Sequence, residues 1–92
     1  MAYELVVPRH FERASVRFLR RHPDLRARYT RVLADLRADP FAPHLRLPAL
    51  QGRLAGSHAV SLNYQYRIVL LLVVEDERIT PIDIGSHDDV YR

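Results

Sequence analysis

The sequence predicts a single α+β domain over residues 1–92, ordered β-α-α-β-β-β, in which a helical hairpin packs on a twisted antiparallel sheet. Three observations carry this expectation. Apolar residues recur at helical spacing in two segments of the first half, parted by His22-Pro23. The second half turns to strand-like runs, the longest apolar stretch being the seven residues Ile68 to Val74. The spacers between those runs are far shorter than the dozen or so residues a parallel return needs, so neighbouring strands form antiparallel hairpins. At 92 residues, 48% apolar and 27% charged, the chain has material for one core and too much apolar content for a disordered tail. Any active site on so small a body is shallow.

Tyr3 to Val7 is rich in β-formers and reads as an opening strand closed by Pro8. Phe11, Ala14, Phe18 and Leu19 then recur at helical spacing, and the residue before Pro23 avoids the α region, which gives a first helix over about 9–21. Pro23 and Asp24 open a second helix whose stripe is Leu25, Tyr29, Val32, Leu33 and Leu36. Asp24/Arg28 and Arg31/Asp35 sit at pairing distance along it, and Asp39-Pro40 stops it. Residues 40–53, with Pro40, Pro43, Pro48 and Gly52, form an irregular loop. Three strands follow over about 54–62, 65–74 and 78–84, separated by Asn63-Tyr64 and by the acidic turn Glu75-Asp76-Glu77.

The chain has no cysteine, which removes disulfides and thiolate metal sites and suits a reducing cytoplasm. Met1 to Pro8 lacks the apolar stretch of a signal peptide, and seven apolar residues fall well short of the twenty or so of a membrane span. The reading therefore expects a cytoplasmic chain with no membrane partner. All fourteen basic residues are arginine. Residues 1–46 hold ten of them against five acids, whereas residues 47–92 hold four against six. A basic front half favours a polyanion, nucleic acid above all, or an acidic protein. Arg9, Arg13, Arg17, Arg20 and Arg21 make a stripe on the first helix, either a solvated face or a phosphate-tracking ridge.

Few residues carry chemistry. His87 follows the last strand within Ile84-Gly85-Ser86-His87-Asp88-Asp89-Val90-Tyr91, where a near-neutral imidazole suits proton transfer at pH 7; the same spacing fits a capping histidine on a surface turn. Arg67 opens an otherwise apolar strand, either pairing with a carboxylate such as Asp83 or projecting as a phosphate clamp. Tyr64, Tyr66 and Tyr91 fit base stacking or ordinary rim packing. Leu50 to His58 is a glycine-punctuated hairpin entry bearing Arg53 and His58, with no Walker or dinucleotide fingerprint and no helix after it. His10, His22, His44, His58 and His87 show no metal-ligand spacing, and no serine sits in a nucleophile elbow.

Laid out this way, the chain resembles the RelE/ParE superfamily of toxins from bacterial type II toxin–antitoxin systems, and most closely its YafQ-type branch. The similarity runs over almost the whole length. It rests on Leu36-Arg37-Ala38-Asp39-Pro40, on Leu50-Gln51-Gly52-Arg53-Leu54-Ala55-Gly56, on Tyr66-Arg67-Ile68-Val69 and on the segment Ile84 to Tyr91. The resemblance implies a ribosome-dependent mRNA endonuclease held in a hetero-oligomer by a cognate antitoxin, acting without metal or cofactor. It implies His87 as the catalytic histidine, Arg67 as the arginine on the scissile phosphate, and Tyr91 as the aromatic that stacks on RNA. His58, Arg53 and Ser61 fall at RNA-binding positions.

Three positions depart from the branch. Pro48 and Ser61 stand where YafQ-type members have histidines, and Gln65 stands where they have an acid. The general base is therefore unassigned by the resemblance. The superfamily also contains ParE-type inhibitors of DNA gyrase, so one fold is compatible with a nuclease, with a gyrase inhibitor, or with a catalytically impaired homologue that only binds its antitoxin.

Overall fold

The structure is a computed structural model and describes residues 2–47 and 57–90. Strand β1 (Glu4–Leu5) leads into helix α1 (Arg9–Arg21), a 3₁₀ turn (Pro23–Leu25) and helix α2 (Arg26–Ala38). A second 3₁₀ turn (Pro43–Leu45) precedes strands β2 (Ser57–Ser61), β3 (Tyr66–Val73) and β4 (Arg78–Ser86), and a single helical turn, α3 (His87–Val90), follows.

Helix α1 has the bounds its punctuation dictates. Pro8 sits at the N-cap in extended backbone, Glu12 lies in the first turn and Arg20 and Arg21 in the last, in keeping with the helix dipole. Phe11, Ser15, Phe18 and Leu19 form its buried face. Pro23 opens a 3₁₀ turn, and the α-helical geometry of α2 starts only at Arg26. The expected stripe is the buried one, with Leu25, Val32 and Leu36 in the core and Tyr29 and Leu33 packed against it. The Tyr29 hydroxyl donates to Ser15 Oγ at 2.9 Å, pinning the two helices together at a buried polar point.

The two expected ion pairs on α2 do not form among the described residues. Asp35 instead accepts from His44 Nε2 at 3.1 Å, tying the second 3₁₀ turn to α2. An exposed pair at helical spacing contributes only about 0.3–0.5 kcal/mol, so a tertiary partner easily displaces it. The same turn places Leu45 in the core, so the segment expected as an irregular loop contributes a 3₁₀ turn and a core residue.

The sheet order is β1-β4-β3-β2. The three long strands are antiparallel, as the short spacers require, and β1 joins β4 in parallel through Glu4–Arg78 and Leu5–Ile79. Hairpin-length arguments reach only consecutive strands; β1 returns to β4 after the whole helical layer. The β2–β3 turn is closed by Asn63 Oδ1, which accepts from the backbone N–H groups of Gln65 and Tyr66 at 2.9 and 2.8 Å. The expected acidic turn joins β3 to β4, with Glu77 left-handed at φ 49°.

Strand β4 runs past the expected end at Ile84. Gly85 and Ser86 pair with Arg67 and Tyr66, so the chain leaves the sheet at Ser86. Since β1 covers only Arg78–Ile79, side chains close much of the remaining margin. His10 Nε2 contacts the Ile82 carbonyl at 3.1 Å beside the bulge, Asp83 Oδ1 accepts from Ile84 N–H, and Asp89 Oδ2 accepts from Ser86 N–H. Occupying backbone groups in this way protects an edge against unwanted strand pairing.

Candidate functional site at the end of the sheet

Strand register brings together residues that lie far apart in sequence. Ser61 of β2 is opposite Arg67 of β3, and Arg67 is opposite Gly85 of β4. Alternation puts Arg67 on the face that it shares with Ala59 and Val69, while Val60, Ile68 and Ile84 face the helices. His87 begins α3 two residues past Gly85. Three expected site residues, Ser61, Arg67 and His87, thus meet at one end of the sheet.

The mount for His87 is built from its neighbours. Ser86 Oγ accepts from Asp89 N–H at 3.3 Å while Asp89 Oδ2 accepts from Ser86 N–H at 3.2 Å, a reciprocal capping box. The Ser-x-x-Asp spacing is the sequence signal for α3, a turn absent from the predicted β-α-α-β-β-β order. Gly85 is required by close approach, since a Cβ there would lie 2.9 Å from Asp89 Cβ. Val90 is buried and anchors the turn. The His87 ring stands in solvent, 66% exposed, with Nδ1 3.8 Å from the fully exposed Asp88 carboxylate. The side chain is held at its base and largely exposed, where a docked substrate can reach it.

Arg67 is half-buried. Asp83, one carboxylate expected to pair with it, instead accepts from Ile84 N–H through Oδ1 and makes no ion pair among the described residues.

The remaining candidates do not join this group. His58 lies opposite Leu70, on the helix-covered face, with Nδ1 buried and no hydrogen-bond partner among the described residues. Strand parity therefore separates it from Arg67. Tyr66 packs with Phe18 and His22, in agreement with its rim-packing reading, and Tyr64 is 94% exposed at the hairpin. Pro48, Arg53, Tyr91 and the run from Leu50 to Gly56 lie outside the described residues. Among the described residues no group of three or more histidines and acids is placed to hold a metal, and no helix is long and apolar enough to cross a membrane.

Two clefts flank the sheet. One, of about 620 Å³, runs between α2 and β2 and carries Arg28, Arg31 and Arg46. The other, of about 340 Å³, lies between α1 and the end of β4. Its arginines, Arg17 and Arg21, belong to the α1 stripe that fits either a solvated face or a phosphate-tracking ridge, and His22 ends that helix.

A two-helix layer on a four-stranded sheet of this order, closed by a helical turn at the C-terminal end of β4, is the fold of RelE-like toxins. YafQ from Escherichia coli strain BL21(DE3) matches with a TM-score of 0.81 over 98% of this chain and 99% of that one, at 13% identity. The E. coli DinJ-YafQ toxin-antitoxin complex matches at 0.80 over 100% of both chains, at 14% identity. A YoeB/ParE toxin from Agrobacterium tumefaciens matches at 0.73 over 91% of this chain and 98% of that one, at 18% identity. Identities this low establish the fold and leave the activity to the site. No protein-family profile matches the sequence, and no curated protein matches it.

Proposed function

We propose that this chain, as one domain over residues 1–92, is the toxin of a type II toxin–antitoxin pair and a ribosome-dependent mRNA endonuclease of the cytoplasm. The observation that carries this reading is the convergence of Arg67 and His87 at one end of the sheet, in a fold that matches YafQ over nearly the full length of both chains. The solved DinJ-YafQ complex supports a cognate antitoxin as partner and a hetero-oligomer as resting state.

The chemistry needs only what these residues offer. The ribose 2′-hydroxyl attacks the adjacent phosphorus in line; the P–O2′ bond forms, the P–O5′ bond breaks, and a 2′,3′-cyclic phosphate and a 5′-hydroxyl result. A base removes the 2′ proton, an acid protonates the departing O5′, and a cation stabilises charge on the phosphoryl oxygens. Arg67 is the cation, its planar guanidinium matched to two phosphate oxygens. His87 performs one of the two proton transfers. Tyr91 stacks on a base of the message, and Arg53 and Ser61 contribute RNA contacts. His58, across the sheet, is not assigned to the scissile phosphate. The steps as drawn use no metal or other cofactor.

The test is induction of the wild-type chain and of His87→Ala in a bacterial host, with primer extension on a translated message. The expected result is growth arrest with new 5′ ends inside codons for the wild type alone. A second reading, a ParE-type gyrase inhibitor or an impaired homologue that binds only its antitoxin, is favoured by Pro48 and Ser61 in place of the branch's histidines and by the match to a YoeB/ParE toxin. Equal arrest by both forms with intact messages would select the inhibitor, and no arrest by either the impaired homologue.

A further inference from the structure

We propose that the cleft between α1 and the C-terminal end of β4 binds one nucleotide of single-stranded RNA, with guanine the preferred base. The proposal rests on the endonuclease reading for the identity of the polymer, and on the cleft itself for the site.

One wall is Arg17 and Arg21, one helical turn apart on α1, both exposed and neither in an ion pair among the described residues. The floor is aromatic. His22 and Tyr66, both half-buried, stand with ring centroids 4.5 Å apart, and buried Phe18 supports them, 4.5 Å from His22 and edge-on to Tyr66 at 5.1 Å. Three rings that fix one another form a platform whose stacking entropy is settled before a ligand arrives. Asp83 and Asp89 complete the lining: Asp83, opposite Val69 and so rooted on the Arg67 face, reaches the cleft at the strand edge where its Oδ1 accepts from Ile84 N–H, and Asp89 Oδ2 accepts from Ser86 N–H.

Two guanidinium groups facing two carboxylates suit neither a bare anion nor a bare cation. A nucleotide carries what such walls recognise: a phosphate for Arg17 and Arg21, a flat base for His22 and Tyr66, and N–H donors for a carboxylate. Asp83 Oδ1 accepts from Ile84 N–H, and Oδ2 is the carboxylate's second acceptor. Guanine, with N1–H and the 2-amino group on one edge, offers such an acceptor the most donors. The volume of about 340 Å³ is at the small end of ligand pockets, right for a single nucleotide. Gly85 also lines the cleft, two residues from His87, so a strand with one nucleotide seated here passes beside the proposed cutting site.

The experiment is a titration of the isotope-labelled full chain with GMP, UMP and inorganic phosphate, following the ring resonances of His22 and Tyr66. GMP is expected to shift both rings and to bind at least tenfold more tightly than phosphate. The double variant Arg17→Ala/Arg21→Ala, altered only at exposed positions, is expected to weaken GMP at least tenfold with an unchanged circular dichroism spectrum. Asp83→Asn is expected to abolish the preference for GMP over UMP. Rings unmoved by millimolar GMP, phosphate binding as tightly as GMP, or arginine variants that bind normally would each overturn the site; a guanine preference that survives Asp83→Asn would overturn the base assignment. On ribosomes, a changed cut-site sequence in Asp83→Asn places message in the cleft, whereas an unchanged sequence with weaker ribosome association places ribosomal RNA there. If GMP binds as expected and His87→Ala remains as toxic as the wild type, the nuclease reading falls and the nucleotide site stands. If His87→Ala abolishes cleavage while GMP leaves the rings unmoved, only the cleft proposal falls.

Discussion

Ser86 and Asp89 cap each other across the single turn of α3, each backbone N–H donating to the other's side-chain oxygen at 3.2 and 3.3 Å. The four-residue turn has no length from which to draw cooperative helix stability. Its geometry, and with it the position of His87, rests on these two bonds, on buried Val90 and on the junction with β4. Ser86→Ala is therefore expected to cost about 0.5–2 kcal/mol, the usual range for a lost N-cap, and to slow cleavage although His87 is intact. Denaturant unfolding gives the first quantity and single-turnover cleavage on ribosomes the second. Unchanged cleavage in a destabilised variant would show that His87 needs no such mount.

Gly85→Ala tests the same junction sterically. The added methyl would meet Asp89 Cβ at 2.9 Å, so α3 must shift or the strand end must open. Overpacking of this kind typically costs about 1–3 kcal/mol. The expected outcome is a lower unfolding midpoint together with a loss of cleavage at least as large as that of Ser86→Ala.

Arg67→Lys keeps the charge and removes the planar fork. If the guanidinium holds two phosphate oxygens, the substitution should lower the cleavage rate by roughly 10²–10³-fold, the loss seen when one transition-state donor is removed. Near-wild-type cleavage by the lysine variant would reduce Arg67 to a point charge.

Ser15→Ala separates stability from chemistry. It leaves the Tyr29 hydroxyl without its partner between α1 and α2, at an expected cost of about 1–3 kcal/mol. The Tyr29–Ser15 bond lies in the helical layer, across the sheet from the face of Arg67, so cleavage per folded molecule should be unchanged once the folded fraction is measured by circular dichroism.

The elements bounded by local chemistry were legible in the sequence. Pro8 and Pro23 frame α1, the stripe from Leu25 to Leu36 marks the buried face of α2, and Asn63 and the 75–77 acids mark the two hairpin turns. What depended on long-range pairing was not. The parallel seat of β1 beside β4, the pairing of Gly85 with Arg67, and the capture of Asp35 by His44 are each decided by a partner distant in sequence. His58 shows the limit most clearly. The sequence places it among the RNA-binding positions and cannot tell its face; one register fixes the face of every side chain in β2, and this one turns His58 toward the helices and away from Arg67. Ser61, Arg67 and His87 were named as residues; their meeting at one sheet end needed the register.

The most direct test of the endonuclease reading is the chemistry of the cut ends on messages incubated with the purified chain and translating ribosomes. It expects 2′,3′-cyclic phosphate and 5′-hydroxyl termini, and no cut when the scissile nucleotide carries a 2′-deoxyribose. Termini bearing 3′-hydroxyl and 5′-phosphate, or cutting that persists at the deoxy position, would contradict attack by the 2′-hydroxyl and the roles given to Arg67 and His87.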